Sequence, residues 1–227
     1  MDSARLKAAL AFIEKETHLR TKSYRMLSDG IQGEFLQAFS LMVRPAAVLE
    51  IGTFTGYATL CLARGVKPGG LVDTIEKDDE MTDIFSRAFD MAGLPHQCGA
   101  ADTYGRLCPE PPAAPGTAGE PRIRSFLADA LTLIPHLQGP YDIVYIDADK
   151  RLYHRFYDLI ISKVRPGGYI LADNVLWSGK ISMDSPPSDR QTSAIVDFNH
   201  TTATDPRVET VTIPVRDGLA VIHKKRD

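Results

Sequence analysis

The chain has 227 residues, of which 44% are hydrophobic and 24% charged, and its formal net charge is -3. This length and composition predict a single globular domain over residues 1–227, with one substantial core. A weakly acidic chain without a long run of Lys or Arg gives no reason to expect a nucleic-acid partner. No stretch approaches the ~20 apolar residues of a membrane span. The N-terminus has no signal-peptide pattern, and three cysteines are too few for a disulfide framework, so we expect a cytoplasmic protein.

Residues 1–44 predict two helices. Apolar residues recur at a helical period between Ala4 and Glu16, and again from Phe35 to Met42. Pro45 ends the second helix just before the first strand.

The central motif of the sequence is VLEIGTFTGY, from Val48 to Tyr57. A short apolar run followed by Gly52 and Gly56 predicts a buried strand, a glycine-containing turn and a helix, which is the opening unit of an α/β nucleotide-type site. Both glycines allow a ligand to approach the backbone closely. Glu50 lies inside the apolar run, where a carboxylate is costly unless something binds it.

A second acid, Glu76, ends the next apolar strand, where a carboxylate can accept hydrogen bonds from ribose hydroxyls. The turn after the first strand matches neither the dinucleotide pattern G-x-G-x-x-G nor the P-loop pattern G-x-x-x-x-G-K-[ST]. We therefore expect an adenosine ligand without phosphates. A helix should follow from Asp78 and end at Gly93.

Residues 95–122 are rich in proline and glycine and poor in large apolar side chains. This composition predicts a long loop. We interpret it as a surface insertion, and a substrate lid is the alternative.

The strands and helices alternate along the chain, which indicates a mostly parallel sheet with helices on both faces. We predict seven strands in all, with the last two forming an antiparallel hairpin around Arg216-Asp217-Gly218. After the loop, the predicted strands are Ile123 to Leu127, Tyr141 to Ile146, Tyr169 to Ala172, Val208 to Ile213 and Leu219 to Ile222.

Several polar residues lie where predicted strands end. Asp147 closes the fourth strand, just before Lys150, and Asp173 with Asn174 closes the fifth. Since ligands bind beyond the carboxyl ends of parallel strands, neighbouring strands would bring two carboxylates and one amide together. Oxygen ligands of this kind suit a hard divalent cation such as Mg²⁺, whereas the six histidines show no zinc-ligand spacing.

Each of these residues also has a purely structural interpretation. A role as a helix cap would by itself explain Asp129 or Asp147, and Lys150 can be a solvated lysine. Trp177 can belong to the core, and backbone amides can satisfy Glu50. Several acids at one edge of the sheet favour the functional interpretation.

Four motifs together resemble the cation-dependent class I O-methyltransferases, a group that contains caffeoyl-CoA and catechol O-methyltransferases. They are EIGTFTGY, DADK at 147–150, DNVLW at 173–177 and the closing DPRVE…IPVRDG. The resemblance extends from about Met26 to the C-terminus, apart from the loop at 95–122. It implies a Rossmann-like class I methyltransferase fold, an S-adenosylmethionine cofactor, a small phenolic substrate and a homodimer.

The resemblance also implies a role for individual residues. Lys150 would be the general base, beside Asp147. Met26, Ser28, Trp177 and Asp217 would border the substrate. The metal, Mg²⁺ with Ca²⁺ or Mn²⁺ as alternatives, would be held by Asp147, Asp173 and Asn174. S-adenosylmethionine would contact Glu50, Gly52, Tyr57, Glu76, Asp129, Ala130 and Asp147.

Two departures from the family pattern bear on the ligands. Ala58 stands where the family has Ser after GY, so Thr59 or backbone amides must serve the methionine carboxylate. The loop that plant enzymes use for CoA esters is not recognisable, which favours a free catechol-like phenol. The alternatives are a cation-independent small-molecule methyltransferase and a non-catalytic nucleoside-binding protein.

Overall fold

A computed structural model describes residues 1–101, 107–108, 119–182 and 189–226. By its internal contacts the chain divides into two units, Met1–Leu137 and Gln138–Asp227. The prediction of a single domain stays a prediction. None of the helices in the described ranges is long and apolar enough to cross a membrane.

The first unit combines a mostly parallel set of strands with helices. Its strands lie in the order β4-β3-β5-β2-β1, and only β4 is antiparallel to its neighbour. The helices are α1 (Ser3–Arg20), α2 (Gly30–Val43), α3 (Tyr57–Ala63), α4 (Thr82–Ala92) and α5 (Ala130–Leu133). The strands are β1 (Ala47–Ile51), β2 (Leu71–Glu76), β3 (His96–Ala101), β4 (Leu107–Cys108) and β5 (Arg122–Leu127).

The elements of this unit differ in how much of their surface is buried. α1 buries Leu6, Leu10 and Ile13 and packs against α4 and α3. α3 is buried along its whole length, and β1 is buried from Val48 onward. Parallel strands covered by helices read as near-continuous apolar runs, which is why the sequence located β1 and α3 correctly.

The prediction of a loop over 95–122 is wrong for the strands β3 and β4. β3 pairs in parallel with β5, with His96 opposite Ile123, and β4 pairs with β3. These two strands also raise the number in the described residues from the predicted seven to nine. The sequence of β3, HQCGAA, contains no β-branched or aromatic residue, so it carries little strand signal. Residues 102–106 and 109–118 of the predicted loop lie outside the described residues.

The second unit begins with two parallel strands and ends with the predicted antiparallel hairpin. Its strands lie in the order β6-β7-β9-β8. They are β6 (Tyr141–Ile146), β7 (Val164–Asp173), β8 (Val208–Ile213) and β9 (Leu219–Lys224). The helices are α6 (Tyr153–Ile160) and α7 (Arg190–Thr204), which pack on each other.

β7 starts earlier than the sequence predicted. The predicted strand begins at Tyr169, but β7 begins at Val164 and includes Pro166-Gly167-Gly168. The pairing of β6 with β7 moves from Tyr141 opposite Val164 to Ile143 opposite Tyr169. Proline and glycine therefore occupy an irregularity in the strand pairing, a position in which both are tolerated.

A network at the end of α7 joins three elements of this unit. The Tyr157 hydroxyl, on α6, donates to Asp205 Oδ2 at 2.9 Å. Arg207, just before β8, donates to both carboxylate oxygens of Asp205, with Nη2 at 2.6 Å from Oδ2. The bonds from Arg207 and Tyr157 hold the pKa of Asp205 well below its ordinary value.

We expect Asp205→Asn to lower the free energy of unfolding by about 1–3 kcal/mol at pH 7, because it weakens charge-assisted hydrogen bonds. A lowered pKa means that the ionised carboxylate stabilises the fold above the unfolded-state pKa of ~3.9. That contribution is lost as the pH falls through the folded-state value. Urea unfolding at several pH values should therefore show the difference between wild type and variant narrowing below about pH 4.

Asp158→Asn is a matched control. It makes the same charge change on α6, where the side chain of Asp158 is 60% exposed. An exposed ion pair contributes little, so this variant should unfold like the wild type. A difference between Asp205→Asn and wild type that stayed constant with pH would contradict the assigned role of the Asp205 charge.

Candidate active site

Residues 52–56, which we call the cofactor loop, connect β1 to α3 in a conformation that glycine makes accessible. Gly52, Phe54 and Gly56 have φ values of 104°, 49° and 85°. A Cβ at Gly56 would lie 2.7 Å from Cβ of Phe85 on α4, so no larger residue fits there. The loop therefore combines close packing with a backbone that few other residues adopt.

Glu50 lies in β1 with no solvent exposure, and two hydroxyl groups bind one oxygen of its carboxylate. Oε2 accepts a hydrogen bond from Thr74 Oγ1, on β2, at 2.5 Å, and another from Thr59 Oγ1, on α3. Thr53 Oγ1, in the cofactor loop, is 2.5 Å from Thr74 Oγ1. The threonines around Glu50 form one buried network that joins β1, β2, α3 and the cofactor loop. The structural interpretation from sequence named backbone amides as partners of Glu50, whereas these contacts come from side chains.

Glu76 ends β2 with its carboxylate fixed by backbone N–H groups. Oε2 accepts from Phe54 N of the cofactor loop at 2.7 Å. Oε1 accepts from the N–H groups of Lys77 and Asp78 at 2.8 and 3.1 Å. Oε2 keeps acceptor capacity for a further donor, and the carboxylate is oriented before any ligand arrives.

Asp129 caps α5, as the sequence predicted, and Ala130 is the first residue of that helix. Asp129 Oδ1 accepts from Leu131 N at 2.9 Å, and Oδ2 lies 3.7 Å from Lys77 Nζ. Asp129 lies just beyond the carboxyl end of β5. This strand pairs in parallel with β2, which ends at Glu76.

Tyr57, the first residue of α3, is buried among the N-terminal helices. Its hydroxyl donates to Glu14 Oε1, on α1, at 3.1 Å, and burial raises its pKa. A Cβ at Gly33, on α2, would lie 2.6 Å from the Tyr57 ring, so glycine at 33 permits this packing. Of the predicted substrate residues in this unit, Ser28 is buried and Met26 is 62% exposed.

The second unit brings Asp147 and Asp173 to the ends of adjacent strands. Ile146 pairs with Ala172, so the residue that follows β6 and the last residue of β7 lie side by side. Asn174 takes a φ of 59°, and its backbone N–H donates to Asp173 Oδ1 at 2.8 Å. The two strands are neighbours, which was the condition for these side chains to come together.

Lys150 is buried beside these carboxylates. Its Nζ donates to Asp147 Oδ1 at 2.9 Å and to the Tyr153 hydroxyl at 2.6 Å. Burial alone would lower the pKa of Lys150, but Tyr153 and Asp147 raise it above its ordinary value. The interpretation of Lys150 as a solvated lysine is wrong, because its residue exposure is only 8%.

Tyr153 was not singled out from the sequence, although it lies one helical turn after Lys150. It is fully buried, and its hydroxyl lies 3.1 Å from the Ile146 carbonyl and 3.0 Å from the Asp173 carbonyl. It therefore ties the ends of β6 and β7 together while it accepts from Lys150. The i, i+3 spacing to a candidate base was the signal that could have identified it.

Trp177 and Asp217 lie in two segments that contact each other. Leu176 N donates to the Asp217 carbonyl at 2.9 Å, and Ser178 N donates to Asp217 Oδ1 at 2.5 Å. The Trp177 indole N–H donates to Thr192 Oγ1, on α7, at 3.1 Å. Trp177 is neither in the core nor fully exposed, since it lies half-buried against α7.

The donor set at the ends of β6 and β7 fits a hard cation. The described residues contain no group of three or more His, Cys, Asp and Glu side chains that could hold a metal. The predicted set differs from such a group because it combines two carboxylates with the amide of Asn174. Hard oxygen donors of these types match Mg²⁺, which keeps several water ligands and needs few from the protein.

A sequence model of the O-methyltransferase family matches residues 1–106 and 122–225. The chain belongs to the O-methyltransferase family. Residues 107–121, which fall within the predicted insertion, are not matched.

Individual relatives agree with this assignment. Over 223 residues the chain is 27% identical to a caffeoyl-CoA O-methyltransferase of Stellaria longipes, covering 92% of this chain and 82% of that one. It is 30% identical to a catechol O-methyltransferase of Niastella koreensis over 154 residues, covering 66% of this chain and 58% of that one. The crystal structure of an O-methyltransferase from Bacillus cereus in complex with SAH superposes with a TM-score of 0.74 and 26% identity, covering 99% of this chain and 92% of that one.

These comparisons confirm the predicted fold class, an α/β Rossmann-like methyltransferase with a mostly parallel sheet and antiparallel C-terminal strands. This O-methyltransferase is an S-adenosylmethionine-dependent enzyme of the caffeoyl-CoA and catechol type. The alternative of a non-catalytic nucleoside-binding protein is therefore wrong. The structure also bears on the donors expected to replace the serine hydroxyl missing at Ala58, because the Thr59 hydroxyl already donates to Glu50. Backbone amides are the expected donors that this bond leaves uncommitted.

We expect Glu76→Ala to weaken binding of S-adenosylhomocysteine by ~1.5–3 kcal/mol, because the hydrogen bonds to a charged acceptor are lost. Glu76→Gln keeps one acceptor oxygen and should lose less. Isothermal titration calorimetry on the purified proteins measures both effects.

Asp78→Ala is the control for this substitution. Asp78 is an exposed acid two residues away, and its Oδ1 accepts a hydrogen bond from Glu80 N. This variant should bind the ligand like the wild type. Unchanged affinity in Glu76→Ala would remove Glu76 from the cofactor site.

Proposed function

We propose that this O-methyltransferase depends on a divalent cation and methylates one hydroxyl of a catechol-like small aromatic substrate. The observation that carries the proposal is the pairing of β6 with β7, which puts Asp147 and Asp173 at adjacent strand ends, with the Lys150 amine 2.9 Å from Asp147. In a methyltransferase that needed only its cofactor, a buried lysine paired with Asp147 at this strand end would have no evident role.

Cofactor binding is proposed for the residues at the carboxyl ends of β1, β2 and β5. Glu76 would accept hydrogen bonds from the ribose hydroxyls, since its carboxylate is already fixed by backbone N–H groups. The cofactor loop at Gly52 would approach the ligand with its backbone. The remaining proposed contacts come from Glu50, Tyr57, Asp129, Ala130 and Asp147.

A divalent cation, most suitably Mg²⁺, would be held by Asp147, Asp173 and Asn174 and would supply positions for two vicinal oxygens and a lowered hydroxyl pKa. The pairing of β6 with β7 positions the Asp147 and Asp173 carboxylates. Tyr153 holds the ends of both strands together. Because such geometry can be worth effective molarities of ~10⁵ M or more, positioning of the acceptor is a large part of the proposed catalysis.

Lys150 is the proposed general base. Only the neutral amine can accept a proton, and Tyr153 and Asp147 favour the charged form. The positive charge of a cation held by Asp147 and Asp173 would oppose the effect of their carboxylates. It would thereby lower the pKa of the Lys150 amine. Lys150 would then take the proton of the acceptor hydroxyl, and the phenolate would attack the sulfonium methyl group.

The substrate is proposed to lie against Met26, Ser28, Trp177 and Asp217. The contact of Asp217 with the 174–178 segment supports this for the second unit, since it fixes the backbone on both sides of the Trp177 ring. We propose a free phenol because no CoA-ester loop is recognisable in the sequence. Comparing a free catechol with caffeoyl-CoA as substrates tests that choice. The homodimer and the cytoplasmic location stay predictions.

Cation dependence predicts a strong preference for two vicinal oxygens. A chelator should abolish methylation of a catechol, and Mg²⁺ should restore it. A monophenol should react poorly with Mg²⁺ present, because it loses both orientation and the lowered pKa. Product formation from labelled S-adenosylmethionine measures all three.

Asp173→Ala should reproduce the effect of the chelator and leave S-adenosylhomocysteine binding largely intact. Asp149→Asn is the matched control, because Asp149 caps the turn that begins at Lys150 and asparagine caps equally well. Full catechol methylation in excess EDTA would mean a cation-independent methyltransferase instead.

Removal of the base predicts a different result from removal of the metal ligand. Lys150→Ala should keep cofactor binding and lose turnover by roughly 10²–10⁴-fold, the range assigned to general-base catalysis. A phenol has a reference pKa of ~10, so raising the pH should partly restore kcat as hydroxide replaces the amine. A variant that kept wild-type kcat near neutral pH would exclude Lys150 as the base.

A further inference from the structure

The cofactor loop is held in place by contacts from outside the strand and helix that it connects. Thr53 is bound to Thr74 of β2, and Phe54 N–H donates to Glu76. Phe54 has a positive φ of 49° without being glycine. A residue in this conformation is strained and persists only where its surroundings fix it.

α1 supplies further contacts. The hydroxyl groups of Thr17 and Thr55 are hydrogen-bonded at 3.1 Å, and both residues are completely buried. Glu14 accepts a hydrogen bond from the hydroxyl of Tyr57, the residue that follows the loop. Glu14 and Thr17 are three residues apart, so one face of α1 reaches both ends of the Thr55–Tyr57 segment.

The rest of α1 is anchored on another element. Arg20 makes a bidentate pair with Asp83 near the start of α4, with Nη1 to Oδ2 at 2.5 Å and Nη2 to Oδ1 at 3.1 Å. Leu6, Leu10 and Ile13 are buried. α1 is thus a packed helix whose last turns contact a backbone segment that needs external support.

We propose that Thr17 is a positioning residue for the cofactor, and that docking of α1 and binding of S-adenosylmethionine stabilise each other through the Thr17–Thr55 contact. The inference rests on the proposed cofactor site at residues 52–57. Linkage makes the effect reciprocal: if docked α1 favours the binding conformation of the loop, the bound cofactor favours docked α1 by the same factor. Thr17 itself need not touch the ligand.

The first test is calorimetric. Thr17→Val removes the hydroxyl while keeping the shape of the side chain, and it should weaken S-adenosylhomocysteine binding by about two- to tenfold, the equivalent of one hydrogen bond. Thr17→Ser keeps the hydroxyl and should restore affinity. Thr55→Val should give the same loss, and the double variant should lose no more than either single variant, because one contact is removed in all three.

Thr204→Val, at an exposed position, is the control for loss of the intrahelical bond alone. Thr204 lies on α7, and its hydroxyl donates to the His200 carbonyl at 2.8 Å, as the hydroxyl of Thr17 does to Ile13 at 2.7 Å. It removes the same type of intrahelical bond and should leave affinity unchanged. Wild-type affinity in a folded Thr17→Val protein would overturn the proposal.

Hydrogen exchange on the wild-type protein gives a readout that needs no variant. S-adenosylhomocysteine should slow amide exchange in the last turns of α1, residues 14–20, as well as in the cofactor loop. Protection confined to the loop would overturn the coupling and leave the cofactor site intact. Failure of the wild-type protein to bind S-adenosylhomocysteine at all would overturn the proposed cofactor site and the coupling with it.

Discussion

The buried carboxylate of Glu50 is the constraint on which the first unit depends. A carboxylate without solvent exposure costs several kcal/mol unless good hydrogen bonds compensate. Here the donors are hydroxyls of Thr74 on β2 and Thr59 on α3, and the register of the sheet puts Thr74 directly beside Glu50. Any shift of α3 or β2 relative to β1 would break these bonds. The cost of burying Glu50 therefore fixes α3 and β2 relative to β1, and with them both ends of the cofactor loop, which connects β1 to α3.

In the second unit, backbone pairing rather than a network of hydroxyl groups positions the acidic side chains. Ile146 opposite Ala172 determines that Asp147 and Asp173 are neighbours, whatever their side chains contact. Tyr153 adds a single buried hydroxyl that lies close to both strand ends and to Lys150. The positions of the acidic groups follow from the sheet, and the position of the amine follows from one tyrosine.

The sequence predicted those parts of the fold whose signal is local. β1, β6 and β8 are apolar or β-branched runs bounded by turns, and their predicted limits agree closely with the structure. β3 could not be found, because HQCGAA has the composition of a loop and becomes a strand only by pairing with β5. The contact of Thr17 with Thr55 joins residues 38 positions apart, and no periodicity encodes it. The candidate site residues at strand ends could be located because the carboxyl ends of parallel strands lie at one edge of a sheet. The side chains that contact them depend on packing, which the sequence does not show.

Ala58 shows how these two kinds of information combine. The sequence shows that a hydroxyl common in the family is missing from the first turn of α3, and the structure shows that the adjacent Thr59 hydroxyl is bound to Glu50. The first N–H groups of a helix lack intrahelical acceptors, so they are the donors that remain for an anionic ligand group. Donors of this kind are positioned only by the backbone. In the proposed cofactor site, recognition then depends on the conformation of residues 52–59 more than on any single side chain there. This dependence gives a physical reason for the number of buried contacts that hold the segment, including those from α1.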